Sequence, residues 1–192
     1  MELININFKE FKEEVYQKYI EIFPEEERKS LETIEKNYNK NITSFIKIAE
    51  ANKLIGFLIM NSIENNRYMQ LDYFAILPEY QNKGHGTKAI KELKNLISNY
   101  NAIFVEIEKL GCGANKTDNE IREKRAKFYE RLGFHKLNSN LKWFNSLFLS
   151  IYCLNLSKNQ TYDEKEILNN IFEIYYKVHG RKKVNENCEI IK

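Results

Sequence analysis

A mixed α/β fold, with a central, mostly antiparallel sheet and one parallel crossover, is what this 192-residue sequence predicts. Strand-like runs at residues 44–50, 54–63 and 68–76 follow one another with links of a few residues. Such short links join antiparallel neighbours, because parallel strands need a crossover of a dozen or more residues. A strand, an amphipathic helix and a further strand then follow in order, which makes one right-handed parallel crossover. Helical patterns before and after this core flank the sheet, the last being a C-terminal amphipathic helix.

The elements follow from local patterning. After a short strand at residues 3–6, Phe11, Val15, Tyr19, Ile22 and Phe23 recur at helical spacing. Pro24 ends that helix, since proline lacks the backbone donor and disfavours helix at the preceding residue. A more polar helix is expected over residues 25–38. The crossover helix, residues 86–98, carries Ala89, Ile90, Leu93, Leu96 and Ile97 on one face, and a strand at 102–107 follows. Residues 120–132 read as a helix closed by Gly133 at a left-handed C-cap. Short strands are expected at 134–137 and 147–156. The tail, 163–179, places Ile167, Leu168, Ile171, Tyr175 and Val178 along one stripe, and the basic run 181–183 reads as a solvated end. The expected organisation is one domain over 1–158 with a helical extension, 159–192, packed on it.

Composition narrows the function. A net charge of +3, without a dense basic run, argues against nucleic acid as a partner. Residues 1–8 lack the pattern of a secretory signal, and no apolar run approaches the ~20 residues that span a bilayer, so no membrane partner is expected. Cys112, Cys153 and Cys188 are odd in number and show no metal-ligand spacing, which points to a reducing, cytoplasmic setting without a metal. The glycosylation-like patterns at Asn41, Asn115, Asn155 and Asn159 are chance matches in an Asn-rich chain. A homodimer stays open.

The segment Gln81-Asn82-Lys83-Gly84-His85-Gly86 lies between a strand and a helix start. The first amides of a helix lack internal partners and sit at its positive dipole end, so a diphosphate binds there readily. Glycine lets the backbone approach, and Lys83 adds a full charge. The form Gly84-x-Gly86-x-x-Ala89 also fits a dinucleotide fingerprint, with Glu106 downstream, but the polar insert 77–83 and the preceding meander oppose that alternative. His85, between the glycines, reads as a solvent-facing filler.

Residues 71–86, with Pro78, Gln81, Gly84 and Gly86 in place, resemble the acyl-CoA motif of the GNAT superfamily of N-acetyltransferases. Arg125-Ala126-Lys127-Phe128-Tyr129-Glu130-Arg131-Leu132-Gly133-Phe134 resembles the family's second motif. The resemblance covers residues 54–137 and implies a GNAT-like fold and transfer of acetyl from acetyl-CoA to a primary amine on a small molecule or peptide. It implies that amides from Lys83 to Thr87, with Gln81, Asn82, Gly84, His85 and Gly86, hold the diphosphate. Phe74, Ala75 and Ile76 would pair with the pantetheine arm, and an amide of their strand would steady the oxyanion. Tyr129 would donate to the departing sulfur. Many relatives carry an Asn two turns before that tyrosine; here Arg122 stands there, with Asn119 a turn earlier, and either is a cofactor-contact candidate. The segment 25–28 falls where relatives gain a lid over the acceptor.

A base has chemical work to do. An alkylammonium of pKa ~10.4 is almost wholly protonated at pH 7, so supplying the free amine is worth about 4 kcal/mol. Asp72, on the face of Phe74 and Ile76, and Glu106 and Glu108, on one face of the next strand, are candidates, with Glu106 first and a water relay also open. The rival reading is an acyl-CoA-binding module without transfer activity, and Tyr129 argues against it.

Overall fold

The computed structural model describes residues 1–144, 146–157 and 163–192. The pattern at Asn159 and the expected start of the extension, residues 159–162, lie outside the described residues. The chain divides into two compact units, Met1–Ile63 with Leu71–Ile97, and Glu64–Gln70 with Ser98–Lys192.

The first unit opens with β1 (Glu2–Ile6), antiparallel to β2 (Thr43–Glu50) with Ile6 opposite Phe45. Asn7 starts α1 (Phe8–Glu10) with a reciprocal capping box. A π-helical stretch, Phe11–Val15, carries the chain into α2 (Tyr16–Ile22). Phe23 is extended and Pro24 follows, so the expected stop falls where proline puts it.

The single helix expected over 25–38 is broken. A 3-10 turn, Glu25–Glu27, precedes α3 (Leu31–Asn39), and Ser30 caps α3 by accepting from the Thr33 amide at 3.2 Å. The cause is non-local: the Tyr73 hydroxyl donates to the Glu27 carbonyl at 2.8 Å, and the Lys29 amide donates to the Tyr19 hydroxyl at 2.8 Å. Backbone groups that a helix would have used are taken by two phenols.

The hairpin of β2 and β3 (Lys53–Asn61) turns through Ala51 and Asn52 at φ 47° and 61°, the left-handed pair that matches strand twist. Strand β4 (Tyr68–Ile76) follows, then α4 (His85–Leu96), which begins one residue earlier than expected. Phe11, Val15, Tyr19, Ile34, Phe45, Phe57 and Tyr73 form this unit's core, with Phe11 stacked on Phe45 at 4.2 Å. Each such fully buried side chain stabilises the fold by roughly 1.5–3 kcal/mol.

In the second unit the start of β4 pairs in parallel with β5 (Ala102–Glu108), from Tyr68 opposite Ala102 to Gln70 opposite Phe104. Helix α5 begins at Lys116, four residues ahead of the expected start, because the Asn115 side chain caps it by accepting from the Asp118 amide at 2.9 Å. Gly133, at φ 92°, follows its end as expected.

Strand β6 (His135–Trp143) runs well past the expected residue 137 and pairs with β7 (Leu147–Asn155), which is antiparallel to β5. The tail departs most from expectation. After α6 (Glu164–His179), Gly180 at φ 89° admits α7 (Arg181–Asn187), and β8 (Cys188–Ile191) pairs with β6. The basic run is helical, and it holds its place through Val184, which is fully buried.

The strand order is β1-β2-β3-β4-β5-β7-β6-β8, and β4 with β5 is its parallel pair. The predicted mixed, mostly antiparallel sheet is the one observed.

Candidate active site

The glycine loop belongs to the first unit. Past β4, a 3-10 turn with Pro78 at its start leads into Gln81, whose Nε2 donates back to the Ile76 carbonyl at 2.8 Å. Asn82 is left-handed at φ 60°, and Lys83 Nζ donates to the Glu79 carbonyl at 2.8 Å. Gly84 is the N-cap of α4 at φ 80°, with no side-chain cap. A Cβ built on it would meet nothing within 4 Å, so the fold demands glycine there for its backbone angle and leaves open space beside it. The amides of His85, Gly86 and Thr87 follow at a helix tip, where intrahelical acceptors are missing. The local geometry is that of an anion cradle, and it suits the diphosphate of a CoA thioester.

His85 corrects the expectation of a solvent-facing filler. Its side chain is 14% exposed, lies edge-on to Tyr80 at 6.3 Å, and places Nε2 4.0 Å from Glu50 Oε2.

On β4, Asp72, Phe74 and Ile76 are half-buried on one face, while Tyr73 and Ala75 pack into the core. A Cβ at Gly56 would stand 2.4 Å from the Ala75 carbonyl oxygen, so glycine on β3 lets the two strands approach at that point. Asp72 is ion-paired with Lys29, and both side chains are largely shielded. Lys29 also lies 5.4 Å from the centre of the Tyr73 ring. Burial, then the Asp72 charge, pushes the Tyr73 phenol well above its ordinary value, and burial takes Tyr19 up to about 12. This candidate base is therefore committed to a cation that fastens the 27–29 segment.

The remaining candidates lie in the second unit. Tyr129 sits in the last turn of α5, 5% exposed, between the rings of Phe128 at 5.1 Å and Phe134 at 5.2 Å. Its carbonyl accepts from the amides of Leu132 and Phe134, which fixes the helix end. Among the described residues its hydroxyl has no hydrogen-bond partner. Burial raises its pKa first, Glu108 adds to the rise and Arg125 opposes it, so the phenol holds its proton. Such a group suits hydrogen-bond donation better than outright proton release.

Glu108 is ion-paired with Arg125. Glu106 is held differently: Gln70 Nε2 donates to its two oxygens at 3.1 and 3.3 Å, and the Tyr175 hydroxyl donates to Oε1.

Asn119 and Arg122 serve the loop before α5. Asn119 accepts from the Gly113 amide at 3.0 Å and donates to the Asn115 carbonyl at 2.9 Å. Arg122 grips Asp118 and donates to the Lys109 carbonyl at 3.3 Å. The Arg122 guanidinium, with the Ala114 amide, holds the Asp118 carboxyl below the usual range. Lys29, Tyr19, Gln70 and Tyr175 were missed by sequence reasoning. One signal was available: a tyrosine on a buried helical stripe needs a partner for its hydroxyl.

All three cysteines are free, and Cys153 and Cys188 are buried. Among the described residues no cluster of His, Cys, Asp and Glu could hold a metal, and no helix is long and apolar enough to cross a membrane.

Comparison with known proteins bears on the family and the fold. The sequence profile of the Acetyltransferase (GNAT) family matches residues 12–134. No curated protein matches the sequence. Among solved structures, an acetyltransferase of the GNAT family from Bacteroides thetaiotaomicron superposes with a TM-score of 0.70 at 18% identity, over 94% of this chain and 99% of its own. A spermidine N-acetyltransferase from Vibrio cholerae gives 0.62 at 19%, over 82% of this chain and 96% of its own. The ribosomal-protein-S18-alanine N-acetyltransferase from Escherichia coli gives 0.59 at 15%, over 84% and 99%. At these identities the structural likeness establishes the fold, and the family match spans well over half of the chain. The chain therefore belongs to the GNAT family of acetyltransferases.

Proposed function

We propose that the protein moves an acetyl group from acetyl-CoA to a primary amine by direct attack on the thioester. The observation that carries this reading is the helix tip. Gly84 sits left-handed at the N-cap, no side chain caps α4, and space lies open where a Cβ would stand. The amides from Lys83 to Thr87 hold the diphosphate, and backbone groups of Phe74 to Ile76 take the pantetheine arm as an added strand. A helix N-terminus in this role favours the anion through its unsatisfied donors and its dipole.

Glu106 serves as the base. Asp72 and Glu108 are each paired with a cation, which neutralises their charge, whereas Gln70 and Tyr175 bring uncharged donors to Glu106. The neutral amine then attacks the thioester carbonyl while a β4 amide steadies the oxyanion, and the C–S bond breaks as the amide bond forms, the nitrogen giving its second proton to solvent and the departing CoA thiolate taking one from it. Tyr129 donates a hydrogen bond to the sulfur as negative charge gathers there. Full transfer is unfavourable, since a phenol of pKa ~10 is a weaker acid than a thiol of ~8.5, and burial widens that gap. The acceptor is a small-molecule or peptide amine, and the free thiols suit a reducing compartment such as the cytoplasm.

Tyr129→Phe tests this reading. Release of free thiol from acetyl-CoA, followed over a panel of polyamines, amino acids and peptides, should fall about 10²- to 10⁴-fold, with acetyl-CoA affinity nearly intact. Unchanged turnover would remove Tyr129 from the chemistry. A protein that no amine turns over, yet that acetyl-CoA stabilises, would instead be a binding module.

A further inference from the structure

Helix α6 lies beyond residue 134, where the family match ends, yet it sends a hydroxyl to the proposed base. Tyr175 is 1% exposed, and its ring is fixed by Trp143 at 5.5 Å, Phe172 at 5.7 Å and Phe104 at 6.4 Å. Ring packing from three elements therefore aims the hydroxyl at Glu106 Oε1. Gln70 Nε2, from the paired start of β4, reaches both oxygens of the same carboxylate.

We infer that Tyr175 is a positioning residue for acetyl transfer, its hydroxyl fixing the Glu106 carboxylate in place and favouring its ionised form. This rests on the reading of Glu106 as the base. The reason is elementary: an O–H donor stabilises a carboxylate and gains much less from the protonated acid, which restrains proton uptake by a half-buried group. A base must be ionised before it can accept the ammonium proton, so a donor that protects the ionised form widens the pH range of turnover towards acid.

Other groups flank Glu106 on the neighbouring elements. Cys188 on β8 stays a neutral thiol, its pKa pushed up to about 12 by burial first and then by the charges of Glu106 and Glu189. On β5, Glu108 is occupied by Arg125. On β7, Ile151 stands opposite Glu106 in the register, with Ser150 beside it, and neither titrates. On α6, His179 packs by its ring against Tyr175 at 5.9 Å and Trp143 at 5.2 Å, so its titration is controlled in the test.

Tyr175→Phe keeps the ring and removes the hydroxyl. The test follows the Glu106 carboxyl by 13C NMR in protein labelled at the glutamate side-chain carboxyl, the signal being assigned by its loss in Glu106→Gln. Tyr175→Phe should move the Glu106 titration to higher pH, and 3-fluorotyrosine at position 175, a stronger donor of the same shape, should move it to lower pH. His179→Gln should leave it in place. With acetyl-CoA and spermidine as probes, kcat/KM of Tyr175→Phe should fall about tenfold on its acid limb and recover above it, with KM for acetyl-CoA unchanged. A Glu106 titration that ignores both changes at position 175, or that follows His179→Gln as strongly, overturns the inference and leaves Glu106 as base untouched. Full turnover by Glu106→Gln removes the base itself, and the role of Tyr175 with it. The 3-fluorotyrosine arm keeps the test open should Tyr175→Phe fail to fold.

Discussion

Gly84→Ala separates the two demands made on that residue. The backbone there stands at φ 80°, and a left-handed L-residue costs about 1–2 kcal/mol, partly offset by the lower chain entropy of alanine in the unfolded state. No protein atom lies within 4 Å of the added methyl, so packing contributes no further penalty. The net cost to the fold is about 1 kcal/mol, which for a chain of this size lowers Tm by roughly 2–4 °C. Acetyl-CoA at a hundred times its Kd stabilises the native protein by about 2.7 kcal/mol, a rise of roughly 5–10 °C. On the proposed reading the same methyl stands where the diphosphate approaches, so the variant should lose most of that rise. Gly180→Ala is the control: φ is 89°, again nothing lies within 4 Å, and the position joins α6 to α7. With ψ at 136° it lies outside the left-handed helical region, so alanine there should cost more than at Gly84, yet the variant should keep the full response to acetyl-CoA. Differential scanning fluorimetry reads both, with NAD as the negative ligand. An undiminished acetyl-CoA shift in Gly84→Ala would refute the assignment of this helix tip.

Two other perturbations follow from the charges. Asp72→Asn leaves the shielded Lys29 ammonium without its counter-charge and should cost about 3 kcal/mol in urea unfolding; a loss below about 1 kcal/mol would show that the pair does not fasten the 27–29 segment. Cys153 and Cys188 rise from 9.0, and Tyr19 from 10.0, each to about 12, mainly through burial. Above pH 9 the unfolded chain therefore releases protons that the native protein keeps, so stability is full below that pH and drains away towards pH 12. Urea midpoints at closely spaced alkaline pH values read this directly, and a flat profile would contradict it.

The strands were legible because alternation and short links are local properties. The helix ends were less so. The start of α5 depends on an Asn115 side chain that turns back onto the Asp118 amide, and the break before α3 depends on Tyr73, 44 residues from Lys29 in sequence. The tail misled for a different reason. Within the polar segment 181–187 only Val184 is fully buried, so its composition reads as solvated although α7 leads into β8, which completes the edge of the sheet beside β6.

The same distinction governs the site. The glycine loop is a local object, a left-handed residue at a helix start, and a run of six residues suffices to reveal it. The carboxylates are not local objects. Asp72, Glu106 and Glu108 are all strand carboxylates, and the partners that distinguish them lie 43, 69 and 17 residues away. Those partners decide the chemistry: a cation cancels the charge a base must use, whereas a neutral donor preserves it and fixes its direction. On the proposed reading, folding thus singles out Glu106, the candidate that the sequence put first, and it does so through a tyrosine outside both sequence motifs.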